Sequence, residues 1–150
     1  MTTQGPGVSL REITSATVRD ILKLAVAPAQ ERFVASNAAS IAEAHFAGDR
    51  AWFRAIYDGD QPVGFVMLED GGPGKPVFLW RFMIDARHQG RGVGRRALEL
   101  VLDEARSRRA TSIETSCVPG PGSPEPFYER LGFAYTGAEE EGELVMRREL

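Results

Sequence analysis

The stretch best equipped for chemistry is Gln89-Gly90-Arg91-Gly92-Val93-Gly94, which follows an apolar run and opens an amphipathic one. Its glycines let the backbone approach a ligand with no Cβ in between. A helix starting there presents unpaired N–H groups and a partial positive charge, so the segment has the parts of an anion cradle. Arg87, Arg91, Arg95 and Arg96 crowd the same place. A helix N-terminus disfavours each cation by about 0.3–1 kcal/mol, so their presence points to an anion among them. Spacing excludes two phosphate cradles. The P-loop needs Gly-x-x-x-x-Gly-Lys-Ser/Thr, and no lysine stands here. The dinucleotide fingerprint needs Gly-x-Gly-x-x-Gly, whereas these glycines fall at 90, 92 and 94.

Composition narrows the partners. The 150 residues are 43% hydrophobic and 26% charged, the balance of one globular domain. Net charge is −3, which argues against a nucleic-acid binder. The charge is unevenly spread: eight of 16 arginines lie between Arg81 and Arg109 with only four acids, while Thr111–Leu150 holds eight acids and three arginines. One part suits an anion and another a cation. Cys117 is the only cysteine and His45 and His88 the only histidines, so neither a disulfide framework nor a metal centre is expected. No apolar run approaches a bilayer-spanning length, and residues 1–7 lack the regions of a signal peptide. The expectation is a cytoplasmic protein without membrane contact, with a flexible N-terminus at 1–7 and one domain over 8–150.

The elements that must position these residues follow from periodicity and turn chemistry. Val8 to Ile13 suggests an opening strand. Ser15 offers a helix cap before Val18, Ile21, Leu22 and Ala25 at helical spacing. A second helix runs from about Ala39 to Phe46, with Asn37 as cap and Gly48 as stop. Trp52–Tyr57 and Pro62–Leu68 flank the turn Asp58-Gly59-Asp60-Gln61 as a hairpin. Val77–Ile84, apolar apart from Arg81, has the pattern of a strand buried on both faces. After the glycine segment, Ala97, Leu98, Val101, Leu102 and Ala105 share one helical face. Thr111–Val118 forms a strand, Pro124–Leu131 a short helix ended by Gly132, and Phe133–Tyr135 with Leu144–Arg147 a hairpin across Glu139–Gly142. The order β-α-α-β-β-β-α-β-α-β-β makes a single mixed α/β domain.

Two stretches resemble a known family. Phe82-Met83-Ile84-Asp85-Ala86-Arg87-His88-Gln89-Gly90-Arg91-Gly92-Val93-Gly94 is similar to motif A of the GNAT N-acetyltransferases, whose Gln/Arg-x-x-Gly-x-Gly/Ala pattern is met by Gln89, Gly92 and Gly94. Phe127-Tyr128-Glu129-Arg130-Leu131-Gly132-Phe133 resembles motif B, in the right order. The element order resembles the family over nearly the whole chain. The resemblance implies a GNAT fold, a mixed and mostly antiparallel sheet flanked by helices. It also implies acetyl-CoA as co-substrate, with its pyrophosphate held by the backbone of Gln89, Gly90, Arg91, Gly92, Val93, Gly94 and Arg95. Phe82, Met83 and Ile84 would pair with the pantetheine arm, and no metal is implied. The family's asparagine ahead of motif B is absent; Pro121-Gly122-Ser123-Pro124 stands there.

The implied reaction is attack of a primary amine on a thioester. An alkylammonium near pKa 10.4 loses its proton at pH 7 at a cost of about 4–5 kcal/mol, which a carboxylate can ease. Glu43, Glu69 and Glu114 are the candidates, with Glu43 and Glu114 taken as acceptor-binding. A backbone N–H near Met83 or Ile84 would face the oxyanion. Tyr128 matches the family tyrosine that assists the leaving thiolate. Leu79-Trp80-Arg81-Phe82-Met83-Ile84-Asp85 and Gln30-Glu31-Arg32-Phe33-Val34-Ala35-Ser36-Asn37, with Ser40 and Glu43, are similar to the bacterial spermine/spermidine acetyltransferase branch. That makes a polyamine the expected acceptor. The alternatives are another small amine, a protein N-terminus, or a non-catalytic acetyl-CoA sensor. Family members often pair, so a homodimer is possible.

Overall fold

Alternating apolar residues and helical stripes resolve into one sheet with helices on both faces across residues 7–150, the part of the chain that the computed structural model describes. The elements are β1 (Val8–Arg11), α1 (Val18–Leu22), α2 (Asn37–Ala47), β2 (Ala51–Asp58), β3 (Gln61–Asp70), β4 (Val77–Ile84), α3 (Val93–Ser107), β5 (Ser112–Cys117), α4 (Glu125–Arg130), β6 (Ala134–Glu140) and β7 (Glu143–Glu149). The strand order is β1-β2-β3-β4-β5-β7-β6. Every pairing is antiparallel except β4–β5. This is the mixed α/β domain expected from the element order, with the mostly antiparallel sheet that the family resemblance implies. The expected flexible N-terminus falls on residues 1–6, outside the described residues, and on Gly7, whose carbonyl accepts the Gly59 N–H at 3.0 Å. Among the described residues no helix is long and apolar enough to cross a membrane.

Two apolar layers sandwich the sheet. The stripe of α3, Val93, Ala97, Leu98, Val101, Leu102 and Ala105, is buried. It packs with Val66, Leu68, Leu79, Ile113 and Met146. Each large side chain fully withdrawn from water there contributes about 1.5–3 kcal/mol. On the other face Ile21, Leu24 and Ala44 pack with Phe65, Met67 and Met83. The strands approach closely at Gly64, where a Cβ would collide with the Met83 carbonyl oxygen.

Two irregularities in β4 shape the molecule. Met67 pairs with Arg81 but Leu68 with Leu79, so Trp80 is an extra residue. A bulge of this kind reverses which face the following side chains take. Leu79 and, after the bulge, Phe82 and Ile84 therefore join the α3 side. Met83 joins the α1–α2 side. Secondly, β4 and β5 share only two pairs, Val77 with Ile113 and Phe78 with Glu114, before they diverge. The Thr115 hydroxyl, donating to the Leu79 carbonyl at 3.0 Å, bonds across the widening gap.

Local departures from expectation have local causes. α1 stops at Leu22 because the Ala25 backbone is bound elsewhere, its N–H to Asp85 and its carbonyl to the Ala86 N–H. The cap preceding α1 is Thr17, tied to Thr14 rather than to Ser15. Ser36, not Asn37, caps α2 by accepting the Ala39 N–H at 3.1 Å. Asn37 is buried and donates to the Ile21 carbonyl. Pro28–Phe33 winds into a 3₁₀ turn. The closing hairpin is longer than expected, its turn confined to Glu141 and Gly142, both at positive φ.

Candidate active site

Where β4 and β5 part, a cleft of about 1330 Å3 opens. Its walls are β4 from Phe78 onward, the glycine turn, α4, the Pro28–Phe33 turn and the β6–β7 turn.

At one end stands the start of α3. Gly92 is its N-cap at φ 79°, with no side-chain cap. The Arg96 N–H makes a bond to the Gly92 carbonyl at 3.2 Å. The N–H groups of Val93, Gly94 and Arg95 thus lack helical partners and remain free for an anion. Gly90 also sits at φ 79°, and nothing would meet a Cβ there within 4 Å. The turn needs glycine for its backbone conformation, and it leaves room beside itself.

Along β4, Ile84 turns its carbonyl away from β3, where Gln89 Nε2 donates to it at 2.9 Å. Strand backbone alternates every two residues, so Phe82 presents its N–H and C=O to the same open edge. An extended chain of amides could pair there as a strand would.

Eight of the ten residues expected at the cofactor line the cleft: Phe82, Met83, Ile84, Gln89, Gly90, Gly92, Gly94 and Arg95. Val93 and Arg91 do not. Val93 is 1% exposed in the core under α3, so only its backbone can serve. Arg91 turns to His88 Nδ1 at 2.6 Å and toward Asp58. The crowding of arginines is also resolved within the protein. Arg87 pairs with Asp85, Arg95 with its neighbour Glu99 one turn on, and Arg96 reaches the Arg91 carbonyl. Of the four only Arg95 lines the cleft, so what the cleft presents at this end is the backbone of the turn rather than a ring of guanidinium groups.

Tyr128 of α4 lines the cleft at 5% exposure. Phe127 lies against it at a ring separation of 5.5 Å and Phe133 at 5.3 Å. Burial holds its phenol above the ordinary pKa, outweighing the opposite pull of Thr115. A phenol so placed keeps its proton and serves as a hydrogen-bond donor. The start of α4 is fixed by Ser123, whose hydroxyl accepts the Glu125 N–H at 3.2 Å, and by a hydrogen bond from the Tyr135 hydroxyl to Glu125.

The acidic candidates separate cleanly. Glu43 lines the cleft, and both its oxygens accept from Arg81 Nη2, at 3.2 and 3.1 Å. Glu114 is a correction: its place on β5 opposes Arg147 of β7, which it binds, and it does not line the cleft. Glu69 pairs with Arg50 and is likewise outside it. The carboxylates that sequence reasoning did not place there are Glu31, Glu140, Glu141 and Glu143. Glu143 accepts from the Ser116 hydroxyl at 3.0 Å. The acidic run Glu139–Glu141 was the signal for two of them, but only the hairpin register aims it.

The sequence model of the acetyltransferase (GNAT) family matches residues 15–133. The chain is 29% identical to the spermine/spermidine N(1)-acetyltransferase of Bacillus subtilis (strain 168), over 95% of this chain and 99% of the relative. Among solved structures, an acetyltransferase from Thermus thermophilus superposes with a TM-score of 0.75 at 19% identity, covering 96% of this chain and 97% of that one. The PaiA N-acetyltransferase of Thermoplasma acidophilum, solved in complex with coenzyme A, superposes at 0.72 with 11% identity, covering 96% and 99%.

Proposed function

The chain belongs to the acetyltransferase (GNAT) family, and from that premise we propose that this acetyl-CoA-dependent N-acetyltransferase acts on a polyamine. Acetyl-CoA supplies the activated acetyl thioester. The residues present fit it: the unpaired N–H groups of Val93, Gly94 and Arg95 would hold its pyrophosphate, and the open edge of β4 its amide-bearing arm. The free N–H on that edge is the donor for charge developing on the acetyl oxygen. Tyr128, kept protonated by its burial, is the donor for the departing sulfur.

One observation carries the acceptor reading. Glu31, Glu43, Glu140, Glu141 and Glu143 line the same cleft as the cradle, from the Pro28–Phe33 turn, α2 and the β6–β7 hairpin. Carboxylates spread this way match a chain of spaced ammonium groups better than a single cation. Arg32, Arg81 and Arg130 stand among them, so the match is one of local placement rather than bulk charge. The name of the Bacillus relative supports the same class. One of these carboxylates must also ease the loss of the amine proton, directly or through water.

The test is release of free CoA thiol from acetyl-CoA with spermine, spermidine, diamines, aminoglycosides, amino acids and short peptides. Turnover with polyamines at millimolar concentration, above that of the other amines, is the expected result. No turnover with any polyamine would remove the acceptor reading and leave the family assignment standing.

A further inference from the structure

The Pro28–Phe33 turn walls the cleft, yet none of its residues is buried. Packing anchors the chain on either side of it, through Val26 and Val34, and the turn itself is positioned by polar ties. Gln30 Nε2 donates to Gln89 Oε1 at 3.2 Å, and Gln89 Nε2 donates to Gln30 Oε1 at 2.9 Å. This is a closed amide pair between residues 59 positions apart. Each member has a second commitment on its own side. Gln30 Oε1 accepts the Ala27 N–H at 3.2 Å, and Gln89 Nε2 donates to the Ile84 carbonyl. The far end of the turn is held more weakly. Arg32 Nη2 reaches the Pro121 carbonyl at 3.4 Å, and a Cβ on Gly122 would lie 3.1 Å from the Ala29 carbonyl oxygen. Gln89 begins the turn whose amides form the anion cradle. Gln30 precedes Glu31 and the chain leading to Glu43.

We infer that Gln30 is a positioning residue that couples the acceptor wall to the acetyl-CoA loop. Through the amide pair, filling the Gly90–Gly94 cradle steadies Gln89, which in turn steadies the Pro28–Phe33 turn. The acceptor then meets a wall already in place, and the lower ordering cost appears as tighter acceptor binding. The effect on acceptor kinetics rests on the reading that the amine lies against this wall; the coupling itself does not.

The test joins backbone hydrogen exchange, with and without CoA, to steady-state kinetics on Gln30→Ala. In the unaltered protein CoA slows exchange over residues 28–35 at least fivefold, alongside the Gly90–Gly94 loop. In Gln30→Ala the loop is still protected and CoA affinity stays within about threefold, but protection of 28–35 is lost. The acceptor KM rises about 5- to 20-fold with kcat within threefold. Gln30→Glu, whose carboxylate still accepts from Gln89 Nε2 and the Ala27 N–H, retains most of both. An unaltered protein whose 28–35 exchange ignores CoA would overturn the proposal, as would a Gln30→Ala variant that keeps the full response. Exchange coupling without turnover of any polyamine upholds the proposal and rejects the acceptor reading.

Discussion

Replacing Tyr128 by Phe removes one oxygen and leaves the ring against Phe127 and Phe133. The magnitude follows from two comparisons. A phenol near pKa 10 giving its proton to a thiolate near 8.5 is uphill by about 2 kcal/mol in water. Burial of Tyr128 makes that transfer less favourable still, so on the proposed reading the phenol donates a hydrogen bond and keeps its proton. A hydrogen bond to a charged partner contributes about 1.5–3 kcal/mol. If it is made only as sulfur departs, its loss lowers kcat about 10- to 150-fold. The KM for acetyl-CoA should move less than threefold. Because the ring contacts survive, Tm should fall by no more than about 2–4 °C. The raised phenol pKa also means that Tyr128 stays protonated through the ordinary alkaline range. The variant should therefore keep the wild-type shape of kcat against pH, displaced downward. The assay is initial-rate CoA release at saturating acetyl-CoA from pH 6 to 9.5, with a melting curve for each protein. A kcat within threefold of wild type at unchanged Tm would refute the donor role. A fall matched by an equal rise in acetyl-CoA KM would move Tyr128 into binding instead.

Other perturbations follow from the same geometry. Glu43→Gln removes a cleft-lining charge that now offsets Arg81, so on the proposed reading the polyamine KM should rise about tenfold, worth about 1.4 kcal/mol, with acetyl-CoA KM unchanged. Equal acceptor KM values in the two proteins would take Glu43 out of the acceptor site. Asp85 is 4% exposed and bonds the Ala25 N–H and the Arg87 side chain and N–H. Burial opposes its charge, but those donors outweigh it and hold its pKa below the ordinary value. Its stabilisation is therefore present above the unfolded pKa, about 3.9, and lost as pH falls through the folded one. Asp85→Asn should lower Tm by about 2–10 °C at pH 7, for about 1–3 kcal/mol lost. The deficit should shrink as pH falls below about 4, and melting curves showing a constant deficit would contradict this assignment.

Most of the fold was legible because its signals are local. The apolar stripe on α3, the apolar run of β4 and the glycines that stop and start elements each act within a few residues. The geometry of the glycine turn and the start of α3 was legible for the same reason, since the two are contiguous. What escaped depends on partners distant in sequence. The Trp80 bulge arises from pairing with β3 and cannot be seen in β4 alone. Four cations at a helix start pointed to a ligand, whereas Asp85, Glu99, His88 and the Arg91 carbonyl accommodate them. Glu114 was placed near the amine by position along the chain, but pairing with β7 turns it to Arg147. Gln30 looked like one polar residue in a loop until folding set it beside Gln89.

The parting of β4 from β5 has a bearing on how this sequence can change over generations. A strand edge and a turn of free amides recognise their ligand through atoms that every amino acid possesses. Substituting side chains along Phe82–Ile84 or at Val93 alters packing but cannot delete those donors and acceptors, short of proline. The proposed acceptor wall, by contrast, is written in side chains on Glu31, Glu43 and the β6–β7 turn, each one nucleotide change from losing its charge. On the reading proposed above, the donor half tolerates side-chain changes that spare Gly90 and Gly92, both at positive φ, whereas the acceptor half is labile. Descendants of this chain can trade one amine for another while continuing to draw on the same acetyl pool.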